Sequence, residues 1–143
     1  MIILDTNIIS EFTRETPNPT VMIWAAQQNI EELFITTITQ AEIYYGLALL
    51  PISKRRSKLE KAMYQLFEQD FQQRILSFDS AAAFRYGTLA ALRQQRGQPI
   101  SHEDAQIGAI ALAQNAVLAT RNIADFRDSG ITLVNPWAYG SNV

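Results

Sequence analysis

The sequence contains no cysteine, which excludes a disulfide framework and any thiolate metal site. Its single histidine, His102, excludes a zinc centre built from several histidines of one chain. No G-x-G-x-x-G occurs, so the phosphate-binding turn of a dinucleotide domain is missing. Asn7 stands where an Asp-x-Asp phosphoacceptor motif would place its second acid. The opening apolar run, Ile2–Leu4, is far too short for a membrane span or a signal peptide, so the expected compartment is the cytoplasm. An excess of positive charge is also lacking. Twelve Lys and Arg stand against 14 Asp and Glu, a net charge of −2. The overall field therefore does not attract nucleic acid, and any handling of it has to rely on local basic patches or metal ions.

What is present is ordinary for one globular domain spanning residues 1–143, with 48 % hydrophobic and 18 % charged residues. A chain of this size buries roughly 70 % of its unfolded surface. Short apolar runs alternate with longer helical patterns, which predicts an α/β domain with a mainly parallel sheet and helices on both faces. The strands are expected at Ile2–Leu4, Leu33–Ile35, Arg74–Phe78, Val117–Ala119 and Ile131–Val134. Helices are expected over residues 7–13 and from an Asn18-Pro19 start to about Gln28. Further helices run over Thr39–Leu50 and from a Ser53 cap to about Gln69. The last two run from Asp79 or Ser80 to about Arg96, stopped by Gly97 and Pro99, and from Ser101 to about Asn115. In such sheets a ligand site lies beyond the carboxyl ends of the strands. Asp5 sits at one such end and Thr120-Arg121-Asn122 at another.

Three acids stand at element ends, and each has an everyday explanation. Asp5 can cap the helix that follows the first strand. Thr39-Gln40-Ala41-Glu42 fits a capping box, with Glu42 reaching back to the cap. Ser101-His102-Glu103-Asp104 fits a helix start of the same kind, where the dipole favours negative charge. Caps account for each acid singly, and spacing alone does not bring the three together. Were they to meet at one rim, their mutual repulsion would raise their pKa values or demand a cation. Mg²⁺ or Mn²⁺ suits such an all-oxygen site, and carboxylate-held divalent metal is common machinery for cutting phosphodiesters.

The stretches LDTNIISE, TITQAEIYYGL, ISHEDAQIGAIAL and LATRNIADF, in that order, resemble the PIN-domain ribonucleases. More narrowly they resemble the VapC-type toxins of toxin–antitoxin pairs, in the FitB-like branch. The resemblance spans nearly the whole chain, to Val134-Asn135-Pro136-Trp137. It implies a three-layer α/β/α, doubly wound fold and a Mg²⁺- or Mn²⁺-dependent endoribonuclease acting on RNA. It also implies a homodimer that is inhibited by a small antitoxin protein and forms a higher toxin–antitoxin assembly. Asp5, Glu42 and Asp104 match the family's first three acids as catalytic metal ligands. A fourth acid often follows; here that position is Asn122, which brings no charge, with Asp125 nearby as a substitute or else a solvated turn residue. The number of metals stays open at this point. Thr6, Asn7 and Thr120 are candidates for orienting the carboxylates or a water, or for local capping. Asn122 also suits a catalytically weak alternative, a PIN-fold module that binds RNA and an antitoxin without cutting.

Arg121 is a candidate phosphate contact or a partner for a carboxylate. Lys54, Arg55 and Arg56 head the only dense basic run, which either tracks an RNA backbone or is a solvated helix face. His102 reads as a pairing or surface residue rather than a general base. Trp24, Tyr44 and Tyr45 read as core or interface residues rather than platforms for bases.

Overall fold

The structure, a computed structural model, describes residues 1–140. Five parallel strands form one sheet: β1 (Ile2–Leu4), β2 (Leu33–Thr36), β3 (Ile75–Leu76), β4 (Val117–Ala119) and β5 (Thr132–Val134). Their order across the sheet is β3-β2-β1-β4-β5. The chain winds outward from β1 through β2 to β3, then returns to the other side of β1 and winds outward again. That is a doubly wound sheet, and its switch point lies between β1 and β4. Among the described residues seven α-helices connect the strands: α1 (Thr6–Phe12), α2 (Pro19–Ala26), α3 (Thr37–Leu49), α4 (Lys54–Gln65), α5 (Ser80–Gln95), α6 (His102–Gln114) and α7 (Ile123–Phe126).

The alternation along each strand divides the apolar residues between two cores. Leu4 faces Ile8 and Ile9 of α1, Trp24 of α2 and Met63 of α4. Its neighbour Ile3 faces the opposite way, with Ile107 and Ile110 of α6, Leu118 and Phe126. Helices α1–α4 therefore cover one face and α5–α7 the other, which makes the expected three layers. Packing is tightest where α6 meets α5. A Cβ added at Gly108 would stand 3.1 Å from side-chain carbons of Leu89, Phe126 and Ile131, so any larger residue there requires these neighbours to shift.

Several boundaries differ from the sequence reading, and three of the differences bear on the core or the site. Strand β2 runs one residue further, to Thr36, whose hydroxyl accepts the Thr39 N–H at 3.2 Å and caps α3. The helix thus begins at Thr37, and Glu42 sits beyond its first turn, so the proposed Thr39–Glu42 capping box does not form. Helix α4 is α-helical only to Gln65 and continues as a wide five-residue turn, Leu66–Asp70, which keeps both Phe67 and Phe71 in the core. Strand β3 has only two residues, Ile75 and Leu76; beside it the Arg74 carbonyl accepts the Ile35 N–H at 3.1 Å, and the Arg74 side chain ties down the carbonyls of Ile30, Leu33 and Asp70. No helix among the described residues is long and apolar enough to cross a membrane.

Candidate active site

The sheet hydrogen bonding runs one residue past the strands at the switch point. Asp5 N–H donates to the Ala119 carbonyl and Thr120 N–H to that of Val134, each at 2.9 Å. Asp5 and Thr120 are thereby fixed side by side at the carboxyl ends of β1 and β4. Both are buried, at 2 % and 0 % exposure. The Thr120 hydroxyl donates to Asp5 Oδ2 at 2.7 Å and accepts the Asn122 N–H at 3.0 Å. Asp5 Oδ1 accepts the Thr6 N–H at 2.8 Å, which caps α1, and Asn7 Nδ2 donates to Oδ2 at 3.4 Å. Asp5 thus caps α1 through Oδ1, while Oδ2 takes the Thr120 and Asn7 side chains.

Glu42 reaches the same place from α3. The Thr6 hydroxyl lies 3.0 Å from both Glu42 Oε1 and Thr39 Oγ1, and Thr36 Oγ1 lies 3.5 Å from Thr39 Oγ1. Because an ionised carboxylate can only accept, Thr6 donates to Glu42, Thr39 donates to Thr6, and Thr36 donates to Thr39. Three hydroxyls thus form a directed chain that ends on Glu42, with Thr36 and Thr39 fully buried.

Asp104 arrives from the first turn of α6, where Ser101 Oγ accepts its N–H at 3.2 Å. Asp5, Glu42 and Asp104 all line one cavity of about 410 Å³, whose wall also includes Asn7, Glu11, Arg14, Arg121, Asn122 and Trp137. Burial is the first cause that raises the Asp5 pKa above the usual aspartate value, against the donated hydrogen bonds of Thr120 and Thr6. Glu42 is raised by burial, and then by the charges of Asp5, Asp104 and Glu103, against the Thr6 hydroxyl. Asp104 is pushed up to about 6 by burial, followed by the Asp5 charge.

The remaining expected residues fall into two groups. Asn122 lines the cavity and begins α7 without any side-chain capping bond. Asp125, in α7, is near enough for its charge to raise both Asp5 and Asp104. Arg121 pairs with no carboxylate among the described residues; its guanidinium lies 5.1 Å from the centre of the Trp137 ring at the cavity rim. Lys54, Arg55 and Arg56 lie outside this cavity. Arg56 pairs with Glu60 at 2.6 Å and donates to the Leu50 carbonyl at 2.9 Å. His102 Nδ1 is hydrogen bonded to the Tyr86 hydroxyl at 2.7 Å, as a pairing residue. Trp24 is core, whereas Tyr44 and Tyr45 are exposed.

Sequence reasoning passed over Glu11 and Arg14. Glu11 is only 4 % exposed. It accepts the Asn18 N–H at 2.8 Å and holds Arg14 at 3.1 Å; the Asn18 bond is the first cause of its lowered pKa. The only trace in the sequence is that Asn7, Ser10, Glu11 and Arg14 follow helical spacing; that they line the cavity is visible only in the fold.

The PIN domain family model matches residues 2–129. The chain belongs to the PIN domain family. It is 36 % identical to the VapC ribonuclease Y4jK of Sinorhizobium fredii, over 96 % of this chain and 98 % of that protein. It is 34 % identical to the toxin FitB of Neisseria gonorrhoeae, over 96 % and 99 %. A solved structure of FitAB bound to a DNA fragment superposes with a TM-score of 0.90 at 35 % identity, over 96 % of each chain. In this PIN domain the carboxylate oxygens facing the cavity are of the kind that suits a hard divalent cation, and the charge of Asp5 helps raise both Glu42 and Asp104. The buried Asn7 Oδ1 has no hydrogen-bond partner and can accept from a water. Among the described residues no three acids stand close enough together to form a ready-made metal-binding group.

Proposed function

We propose that this PIN domain is a metal-dependent endoribonuclease and the toxin half of a toxin–antitoxin pair, acting as a homodimer that a small antitoxin silences in a larger assembly. The observation that carries the reading is the meeting of Asp5, Glu42 and Asp104 at one cavity on the switch point, brought there by three separate elements. Mutual repulsion makes that arrangement costly for folding alone and favourable once a cation is present. The names of the relatives Y4jK and FitB support both the ribonuclease and the toxin parts.

Asp5, Glu42 and Asp104 would hold Mg²⁺ or Mn²⁺. The chemistry that such a cation supplies when bound is Lewis acidity toward water and phosphate oxygen. The chain's own groups prepare the site. Thr120 and Thr6 N–H donate to Asp5 and oppose the upward push of burial on its pKa. The hydroxyl chain through Thr6 fixes the rotamer of Glu42. Asn7 Oδ1 and Asn122 present neutral acceptors that can orient water without adding charge. Arg121, held over Trp137, offers a guanidinium for a phosphate oxygen at the rim.

The test is to purify the chain without its partner and offer RNA with Mg²⁺ or Mn²⁺. The expected result is cleavage that chelation abolishes and that Asp5→Asn removes. Equal cleavage by parent and variant, or indifference to chelator, sinks the proposal. Asn122, an uncharged residue facing the cavity, favours a second reading, a PIN module that binds RNA and antitoxin without cutting. Repeated metal-dependent turnover disposes of it.

A further inference from the structure

Beside the acidic cavity lies a larger cleft of about 1010 Å³, between the end of α1 and helix α4. The two share Arg14. The cavity wall carries four carboxylates (Asp5, Glu11, Glu42 and Asp104) and two arginines. The cleft reverses that balance: Arg14, Arg55 and Lys58 face it, against the single acid Glu15. A chain of net charge −2 therefore concentrates positive charge in a groove that opens beside its most negative point.

The positions of the cations point to a ligand rather than to stability. Helix α4 has no acidic residue in its first turn, so basic side chains there oppose the helix dipole. Arg56 offsets this through Glu60 and the Leu50 carbonyl, and it does not line the cleft. Arg55 and Lys58, three residues apart on one face, line the cleft and make no ion pair among the described residues. Arg14 is held at the junction by Glu11. Phe12, Leu59 and Met63 add apolar wall between the charges, which suits the faces of unstacked bases.

We propose that this cleft is the track of a single-stranded RNA whose scissile phosphate lies in the acidic cavity, with Arg14 at the junction and Arg55 and Lys58 on the flanking phosphates. The inference rests on the ribonuclease reading above and adds the route of the substrate. A peptide partner would need acids to match these cations; RNA brings one charge with every nucleotide.

The experiment uses the full chain carrying Asp5→Asn, so that RNA is bound without being cut. Fluorescein-labelled single-stranded RNA of mixed sequence is titrated by anisotropy over a series of salt concentrations. Each single-strand phosphate contact contributes about 0.7 to the slope of log affinity against log salt, so Arg55→Ala with Lys58→Ala should flatten that slope by about 1.4. Lys61→Ala, on the same helix but outside the cleft, should leave it almost unchanged. The proposal is overturned if the double variant keeps the parental slope, or if Lys61→Ala flattens it equally. It is also overturned if the double variant binds RNA normally but no longer retains the partner protein, which would make the cleft a protein-binding surface. Arg55 and Lys58 are exposed, so an unchanged circular dichroism melt confirms that the variants fold. Cleavage by wild type together with an unaltered slope in the double variant defeats the track alone. A flattened slope without any cleavage by wild type defeats the ribonuclease reading alone.

Discussion

Replacing Asp104 by Asn should make the metal-free protein more stable at neutral pH, not less. In the folded chain the Asp104 carboxyl is pushed up to about 6 from an ordinary value of 3.8, first by burial and then by the charge of Asp5, with Asp125 and Glu103 adding to it. A gap of about 2 pH units corresponds to about 3 kcal/mol. Asp104 is partly exposed, so solvent screening reduces the usable effect to about 1–2 kcal/mol. Asn also removes an anion from the first turn of α6, at a cost of about 0.3–1 kcal/mol. The net expectation is a gain of about 1 kcal/mol, or about 4 °C in Tm for a chain of this size. The sign follows from proton binding. Between pH 3.8 and about 6 the folded state holds more protons than the unfolded state, so wild-type stability falls as pH rises through that window. The advantage of Asn should therefore be full at pH 7.5 and shrink toward pH 4. Urea unfolding in chelator at both pH values measures it. Adding Mg²⁺ or Mn²⁺ should reverse the order, since the variant loses a ligand that stabilises only the folded state. A variant no more stable than wild type in chelator at pH 7.5, or a gain that ignores pH, would refute the reasoning.

Two further changes probe the scaffold of the site. Thr120→Val removes the hydroxyl donated to buried Asp5, which should cost about 1.5–3 kcal/mol at pH 7.5. The cost should become small in an Asp5→Asn background; an equal loss in both backgrounds, measured by urea unfolding, contradicts the assigned bond. Gly108→Val places new carbon 3.1 Å from Leu89, Phe126 and Ile131 and should destabilise by about 1–3 kcal/mol. An unchanged calorimetric Tm would show that these side chains can give way.

Much of the fold could be read locally, and much of the site could not. Strand β1 and the capping role of Asp5 follow from three apolar residues running into a carboxylate. The start of α6 follows from Ser101. The capping alternative for Glu42 rests on ITTITQ, which offers three threonines within four residues; one extra residue of strand hands the cap to Thr36 and leaves Glu42 at the cavity. The meeting of Asp5 with Thr120 depends on β1 and β4 being neighbours. Strand order is set by how the two cores pack, and no local periodicity encodes it. Glu11 and Arg14 escaped notice because a polar stripe on a short helix looks the same whether it faces water or a cavity.

The bond between Asp5 and Thr120 joins residues 115 positions apart. During synthesis Asp5 is made well before β4, so it waits for the strand that carries its partner. A chain cut short before β4 would carry all three acids without the neighbour that fixes the first of them. The setting of Asp5 is thus a long-range property, complete only once β4 has joined β1.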